Sequence, residues 1–460
     1  MRRDSKLSSR IVAGIIWLII AAGILLRLKL YGDPRLSIAT NDTESYVTSS
    51  QSPILSWEIF TGRRVFTNNL IYRLFVPENG YQILVNCSGD TTSRAYQPGF
   101  ENLALFHFLM SVIGWSFLIL ISTKYIHNYA LKLVCAITLL LFAFSPQIAE
   151  WDSILMSESL TISLFILQFS LLIKIIFNAY FDNGKLPFPL LLSWLIVYFL
   201  WTFIRDTNLY AIPVSILMSL VLWRVGKFSN TKPVVALLTI LLGMFILVWS
   251  VSRSSVRSRI EIRAVYESDL LSIPGRVAIL QSLGMPDPES PAFTQWFEEN
   301  GVVTFVKFML LHPGYVAARF GRDIFLVFGE SLQPYFRIPE LGDVRERLVR
   351  LGGVLHPETA MPINIGLILL MVLIQFGADR SRPASRPWIL IGLWLFSVAG
   401  LTMFVSVMAG TYALYRHALF STMAFRLFMW LFLFVVLDQG LDKNRMGLEY
   451  NHAPKVENAG

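Results

Sequence analysis

Residues 153–177 read SILMSESLTISLFILQFSLLIKIIF, an apolar stretch broken by one acid, Glu158, near its start and one base, Lys174, near its end. An α-helix rises about 1.5 Å per residue, so a run of this length covers the roughly 30 Å hydrocarbon core of a bilayer. The stretch therefore predicts a membrane-spanning helix. It also predicts that Glu158 faces a polar cavity or a partner, because an acid exposed to lipid is costly.

Runs of similar kind recur on both sides of it. Taking roughly 17 to 25 apolar residues as the criterion, spans are expected near Ile11–Leu30, Asn102–Ser122, Tyr129–Phe144, Ser153–Phe177, Pro187–Ile204, Leu209–Trp223 and Pro233–Val251. Three more follow near Pro362–Gly377, Trp388–Val407 and Ala418–Leu437. The fold class is thus an all-α integral membrane protein of about ten transmembrane helices. Composition agrees: of 460 residues, 54% are hydrophobic and 15% charged, and the mean hydropathy is +0.56, outside the usual range of soluble globular chains. No segment is large enough for a separate soluble domain. Cys87 and Cys135 fall in a polar loop and an apolar run, which argues against a disulfide or a cysteine metal site.

The net charge of +8 does not gather into one stripe, so nucleic acid is not an expected partner. Topology accounts for the basic residues instead. Arg2, Arg3, Lys6 and Arg10 precede a first apolar run that continues past Ala21 and Ala22, the pattern of an uncleaved first helix. With the amino terminus in the cytoplasm, Lys124, Lys132, Lys174, Lys185, Arg224, Lys227, Lys232, Arg380, Arg382, Arg386, Lys443 and Arg445 all fall on the cytoplasmic side. The chain then divides into a seven-helix core over 1–251, with an outer loop at 31–101, and a large outer-face loop over 252–361. Three further spans occupy 362–437, and a cytoplasmic tail over 438–460 is expected to be disordered. In the second loop Phe305–Leu311 and Tyr315–Phe328 have helical apolar spacing around His312-Pro313-Gly314, predicting two short interfacial helices joined by a break. Asn41 and Asn86 each stand in an N-x-Ser/Thr context, whose use depends on the host.

Four polar groups lie at expected outer helix ends. Asn41-Asp42-Thr43-Glu44-Ser45-Tyr46 puts two carboxylates just past the first span; Asp42 is the first candidate for a base that takes a hydroxyl proton, and Glu44 is its rival. The competing reading of Asp42 is an Asx turn or helix N-cap. Around the third connection lie Glu150, Asp152 and Glu158; the first two would suit a divalent cation such as Mg or Mn or an acceptor-orienting role, and Glu158 either serves the chemistry or complements a helix dipole. Arg205, followed by Asp206, and Arg416-His417 supply cations that can grip a phosphate on which negative charge grows. The competing reading pairs Arg205 with Asp206 and has Arg416 snorkel to the interface.

The order of these features resembles the C-type (GT-C) superfamily of integral-membrane glycosyltransferases. The resemblance rests on Asn41–Tyr46, on Ser157-Glu158-Ser159-Leu160, on the long loop after seven helices, and on Arg205-Asp206-Thr207-Asn208 and Arg416-His417-Ala418. It implies inverting transfer of a sugar from a polyprenyl-phosphate donor to a lipid, glycan or protein acceptor at the outer face of a bacterial inner membrane. Asp42 would be base or acceptor-orienting carboxylate, Glu158 or Asp152 would assist, and Arg205, Arg416 and His417 would hold the donor phosphate. Other classes compete. A polysaccharide polymerase or ligase would rely on His312, Arg319 and Arg322 of the large loop; a secondary transporter or flippase would show the internal symmetry that this chain lacks.

Overall fold

The computed structural model describes residues 2–451 apart from 79, 85–95, 183–186, 226–230, 256, 336–341 and 380, so Asn86, Cys87, Lys185, Lys227 and Arg380 lie outside the described residues. Among the described residues regular structure is helical, with only isolated bridges at Ile38 in place of strands.

The chain begins with Arg2–Tyr31 (α1), whose span is Arg10–Tyr31. Three short helices follow in the first long loop: Thr43–Ser50 (α2), Glu58–Thr61 (α3) and Phe66–Phe75 (α4). Glu101–Lys124 (α5) and Tyr129–Phe144 (α6) come next, and Pro146 then starts a separate turn, Pro146–Ala149 (α7), bent by 51° from α6. Proline fits the first position of a helix but cannot continue one. The stretch quoted at the outset forms Glu158–Phe181 (α8), followed by Phe188–Thr202 (α9), Ala211–Arg224 (α10) and Thr231–Ser254 (α11).

The second long loop is built of Arg257–Val265 (α12), Pro274–Ser282 (α13), Ala292–Trp296 (α14), Val302–Leu311 (α15), Pro313–Phe328 (α16) and Gly342–Leu355 (α17). The expected break at His312-Pro313 is there, as a 96° bend. Residues of α12 to α15, among them Ile262, Tyr266, Phe297, Phe305 and Phe308, bury a small apolar core of their own. Met361–Ala378 (α18), Ser385–Ala409 (α19), Leu414–His417 (α20) and Leu419–Asn451 (α21) complete the chain.

Among the described residues eight helices are long and apolar enough to cross a membrane, or ten if each of the two bent pairs is one span. The differences from the sequence reading have local causes. The fourth span starts at Glu158 and not at Ser153, because Ile154 is extended and bridges to Ile38, whose carbonyl also accepts from Leu155 N. Helix α9 has only 15 residues. Helix α21 runs past Gly440, where loss of order was expected, to Asn451.

Helix α8 is the axis of the bundle: 89% of its apolar window is buried, against 22% for α1. It packs on α5 and α9, while α18, α19 and α21 form a second cluster that leans on it. Close approach to α5 needs Gly114, where a Cβ would stand 2.9 Å from the carbonyl oxygen of Ser163. The bundle has two ends. At the lower end lie Lys124, Arg224 and Arg386; at the upper end α1 finishes, α8 and α21 begin, and both long loops gather.

Candidate functional site

The upper end is held together by extended chain rather than by helix packing. Ile38 donates its N–H to Ser153 O at 2.8 Å and accepts from Leu155 N at 2.9 Å, while Ser37 O accepts from Gln97 N at 2.8 Å. This three-way junction docks α2 onto the residues that open α8: Thr43 Oγ1 donates to Leu155 O at 3.0 Å, and Tyr46 OH to Ser157 Oγ at 3.1 Å. Asp42 and Glu158, 116 positions apart in the chain, are thereby brought to one place.

Asp42 sits at the N-cap position of α2, but its side chain makes no capping hydrogen bond. Its carboxylate meets two guanidiniums instead, Arg64 Nη2 at 3.0 Å and Arg416 Nη1 at 2.7 Å. Glu158, the first residue of α8, is 2% exposed and lies 3.5 Å from Arg205 Nη2 and 3.6 Å from Arg416 Nε. Arg416 is thus shared between the two acids. Its Nη1 also donates to Tyr335 OH at 2.8 Å, its backbone carbonyl accepts from Arg205 Nη1 at 3.2 Å, and its buried Nε has no hydrogen-bond partner.

Backbone strain helps to aim this arginine. Ala413, with φ 47° and ψ 43°, is the one non-glycine residue at positive φ among the described residues, and both Arg416 N and His417 N donate to its carbonyl. A left-handed alanine costs on the order of 1 kcal/mol, a cost typically found where the surroundings fix a functional turn. On the opposite side Arg64 is set by Ser45 Oγ, 2.8 Å from its Nε, and lies over the ring of Tyr46 at 3.9 Å. Tyr46 in turn stacks on Tyr72.

Three guanidiniums, Arg64, Arg205 and Arg416, face the carboxylates of Asp42 and Glu158. Burial pushes the Asp42 carboxyl up, but Arg416 and Arg64 outweigh it and hold the group below the usual carboxylate range. Burial, followed by Arg205 and Arg416, pushes the imidazole of His417 down to about 3. His417 is therefore neutral at physiological pH, which corrects its expected role as a phosphate-gripping cation: beside three guanidiniums it can offer a hydrogen bond but not a charge.

The remaining candidates lie apart. Glu44 is exposed on the far side of α2 and makes no ion pair among the described residues. Glu150 is held by Arg345, with Nε 2.6 Å and Nη2 2.9 Å from its oxygens, and by Gln333 at 2.7 Å. Asp152 pairs with Arg27 of α1 and accepts from Ser159 Oγ at 2.6 Å. Each of these two acids faces a guanidinium where a divalent cation was considered, and no cluster of three His, Cys, Asp or Glu able to hold a metal occurs among the described residues. Asp206 does not occupy Arg205. It takes both donors of Arg257, at 2.8 and 3.0 Å.

Arg319 and Arg322 belong to a separate network, and His312 packs on Phe308 apart from it. Arg319 is buried, donates to Gly410 O at 2.7 Å and to Tyr315 OH at 2.9 Å, and lies against Asp269 and Asp323; Arg322 pairs with Asp323 at 2.6 Å, and His312 stands at the α15–α16 bend. The hydrogen bond from Arg319 to Gly410 props the turn that carries Arg416.

Arg64, Tyr335, Arg257 and a further acid, Glu261, are outside the sequence reading. All four lie in the long loops, where no periodicity sets position; the one local signal is the cationic Arg63-Arg64 pair between short apolar runs. Glu261 lies on α12 one turn after Arg257, and the charges acting on it are Arg416, Arg205, Asp206 and Asp42. No protein-family model matches the chain, and no curated protein does.

Proposed function

We propose that this chain is an integral-membrane glycosyltransferase that moves a sugar from a polyprenyl-phosphate donor to an acceptor at the upper end of the bundle, taken as the outer face of a bacterial inner membrane. The observation that carries the reading is Arg416, held between Asp42 and Glu158 with Arg64 and Arg205 beside it. When the bond from the anomeric carbon to the phosphate oxygen breaks, charge grows on the leaving phosphate, and fixed guanidiniums in a partly buried site stabilise that charge more than they stabilise the ground state. Arginine suits the task because its planar fork matches phosphate oxygens. The Nε of Arg416, which makes no hydrogen bond and only a 3.6 Å ion pair with Glu158, is one donor that a phosphate would satisfy.

Asp42 and Glu158 fit a supporting role. Glu158, closed off from solvent, aims Arg205 and Arg416. Asp42, 28% exposed at its side chain, is the acid of the two that an acceptor can approach. Two guanidiniums weaken it as a base, so orienting the acceptor suits it better than removing a proton.

The test is sugar transfer by the purified full-length protein from polyprenyl-phosphate donors in proteoliposomes. Arg416→Ala and Glu158→Gln are expected to lose about 10²-fold or more in turnover, with the melting temperature showing that the variants fold. Unchanged turnover in Arg416→Ala would overturn the proposal.

A further inference from the structure

The site as described grips a phosphate and orients an acceptor, but both of its acids are committed to arginines. A sugar hydroxyl is a poor nucleophile at neutral pH, and its attack is assisted by a carboxylate free to take the proton. Helix α12 brings such a group. Arg257 is anchored on Asp206 through two hydrogen bonds and on the carbonyls of Phe60 and Gly62 through its Nη1. Residues four apart share a helix face, so Glu261 projects from the same face as Arg257, one turn further on. There it is half-buried, with no ion pair or hydrogen bond to its carboxylate among the described residues, and Arg416, Arg205, Asp206 and Asp42 lie near enough to act on its charge.

Resting on the transferase reading, we propose that Glu261 is the catalytic base of this site, taking the proton of the acceptor hydroxyl as that oxygen attacks the anomeric carbon. The bond between the anomeric carbon and the phosphate oxygen breaks as the new glycosidic bond forms. Its electron pair leaves with the polyprenyl phosphate, whose charge Arg64, Arg205 and Arg416 hold, and the proton passes from Glu261 to the departing phosphate or to water. No oxidant or further reactant is needed. The assignment divides the work among three acids: Glu158 aims arginines, Asp42 holds Arg64 and Arg416 and orients the acceptor, and Glu261 accepts the proton. Burial pushes the Glu261 carboxyl above the ordinary glutamate range against the pull of the two arginines, in the direction that strengthens a base.

The experiment compares wild type, Glu261→Gln, Glu261→Ala and, as a control on the same loop, Glu267→Gln, in full-length protein reconstituted with a polyprenyl-phosphate sugar. Polyprenyl phosphate itself serves as the binding probe. Glu261→Gln is expected to lower kcat by about 10²-fold or more with the donor KM and polyprenyl-phosphate affinity within twofold of wild type, and added formate is expected to restore part of the turnover of Glu261→Ala. Glu267→Gln should be unaffected. A Glu261→Gln variant with wild-type kcat, or one changed only in donor KM, overturns the assignment of Glu261 and leaves the transferase reading standing. Wild-type protein that binds polyprenyl phosphate and transfers nothing overturns the transferase reading and this assignment with it.

Discussion

At the residue scale the site is a set of charges that solve one another's burial. Glu158 inside an apolar stretch was legible as a residue needing a partner, since lipid does not tolerate a lone carboxylate. The identity of that partner was not, because Arg205 and Arg416 reach it only once three distant parts of the chain have met. Arg64 and Glu261 were less legible still: an ionisable residue in a polar loop costs nothing to explain. The neutral imidazole of His417 carries a prediction of its own. A free histidine titrates near pH ~6.5, whereas burial and the neighbouring arginines push this one down to about 3. Its contribution to stability is thus fully present above about pH 6.5 and is lost as the pH falls toward 3, because the unfolded chain gains a proton that the folded one refuses. Melting temperatures of His417→Asn between pH 7 and 4, roughly spanning that window, should fall less steeply than those of wild type. An unchanged slope would take the effect away from His417 and leave it to other buried imidazoles, of which His356 is displaced in the same direction.

At the scale of elements, the apolar runs placed the spanning helices well, because length and hydropathy alone decide whether a helix can cross a bilayer. Their ends were harder. Ile154, Leu155 and Met156 look like a continuation of α8, but Ile38 competes for the backbone of this stretch and draws it into extended chain. That choice moves Glu158 from the second turn of a helix to its first residue, and so into reach of Arg205 and Arg416. Packing between elements gives a second prediction. At Gly114 an added Cβ meets the backbone of α8 rather than a flexible side chain, so α5 and α8 must part. Gly114→Leu should cost about 1–3 kcal/mol, read as a lower melting temperature in detergent, and should reduce turnover by shifting the start of α8. Normal stability in this variant would mean that the two helices do not approach as described.

At the scale of the whole molecule, the alternation of basic and mixed loops predicted which helix ends lie together, and Asp42, Glu158, Arg205 and Arg416 do meet at the upper end. The internal folding of residues 252–361 was beyond reach of periodicity apart from the break at Pro313. Orientation can be tested directly. In a variant without Cys87 and Cys135, Glu44→Cys and Tyr412→Cys, both exposed at the upper end, should react with an impermeant maleimide added outside right-side-out vesicles. Ser381→Cys at the lower end should react only after permeabilisation, and the reverse pattern would place the upper end in the cytosol. The double hold on Arg416 bears on how such a protein behaves when idle. A cationic cradle that brings its own counter-ions has no hunger for chloride or stray metabolite acids, since these offer Arg416 nothing that Asp42 does not already give. On the proposed reading the donor phosphodiester, a monoanion like Asp42, takes its place through its additional oxygens, and the cradle's hold tightens only as the breaking bond adds charge to it.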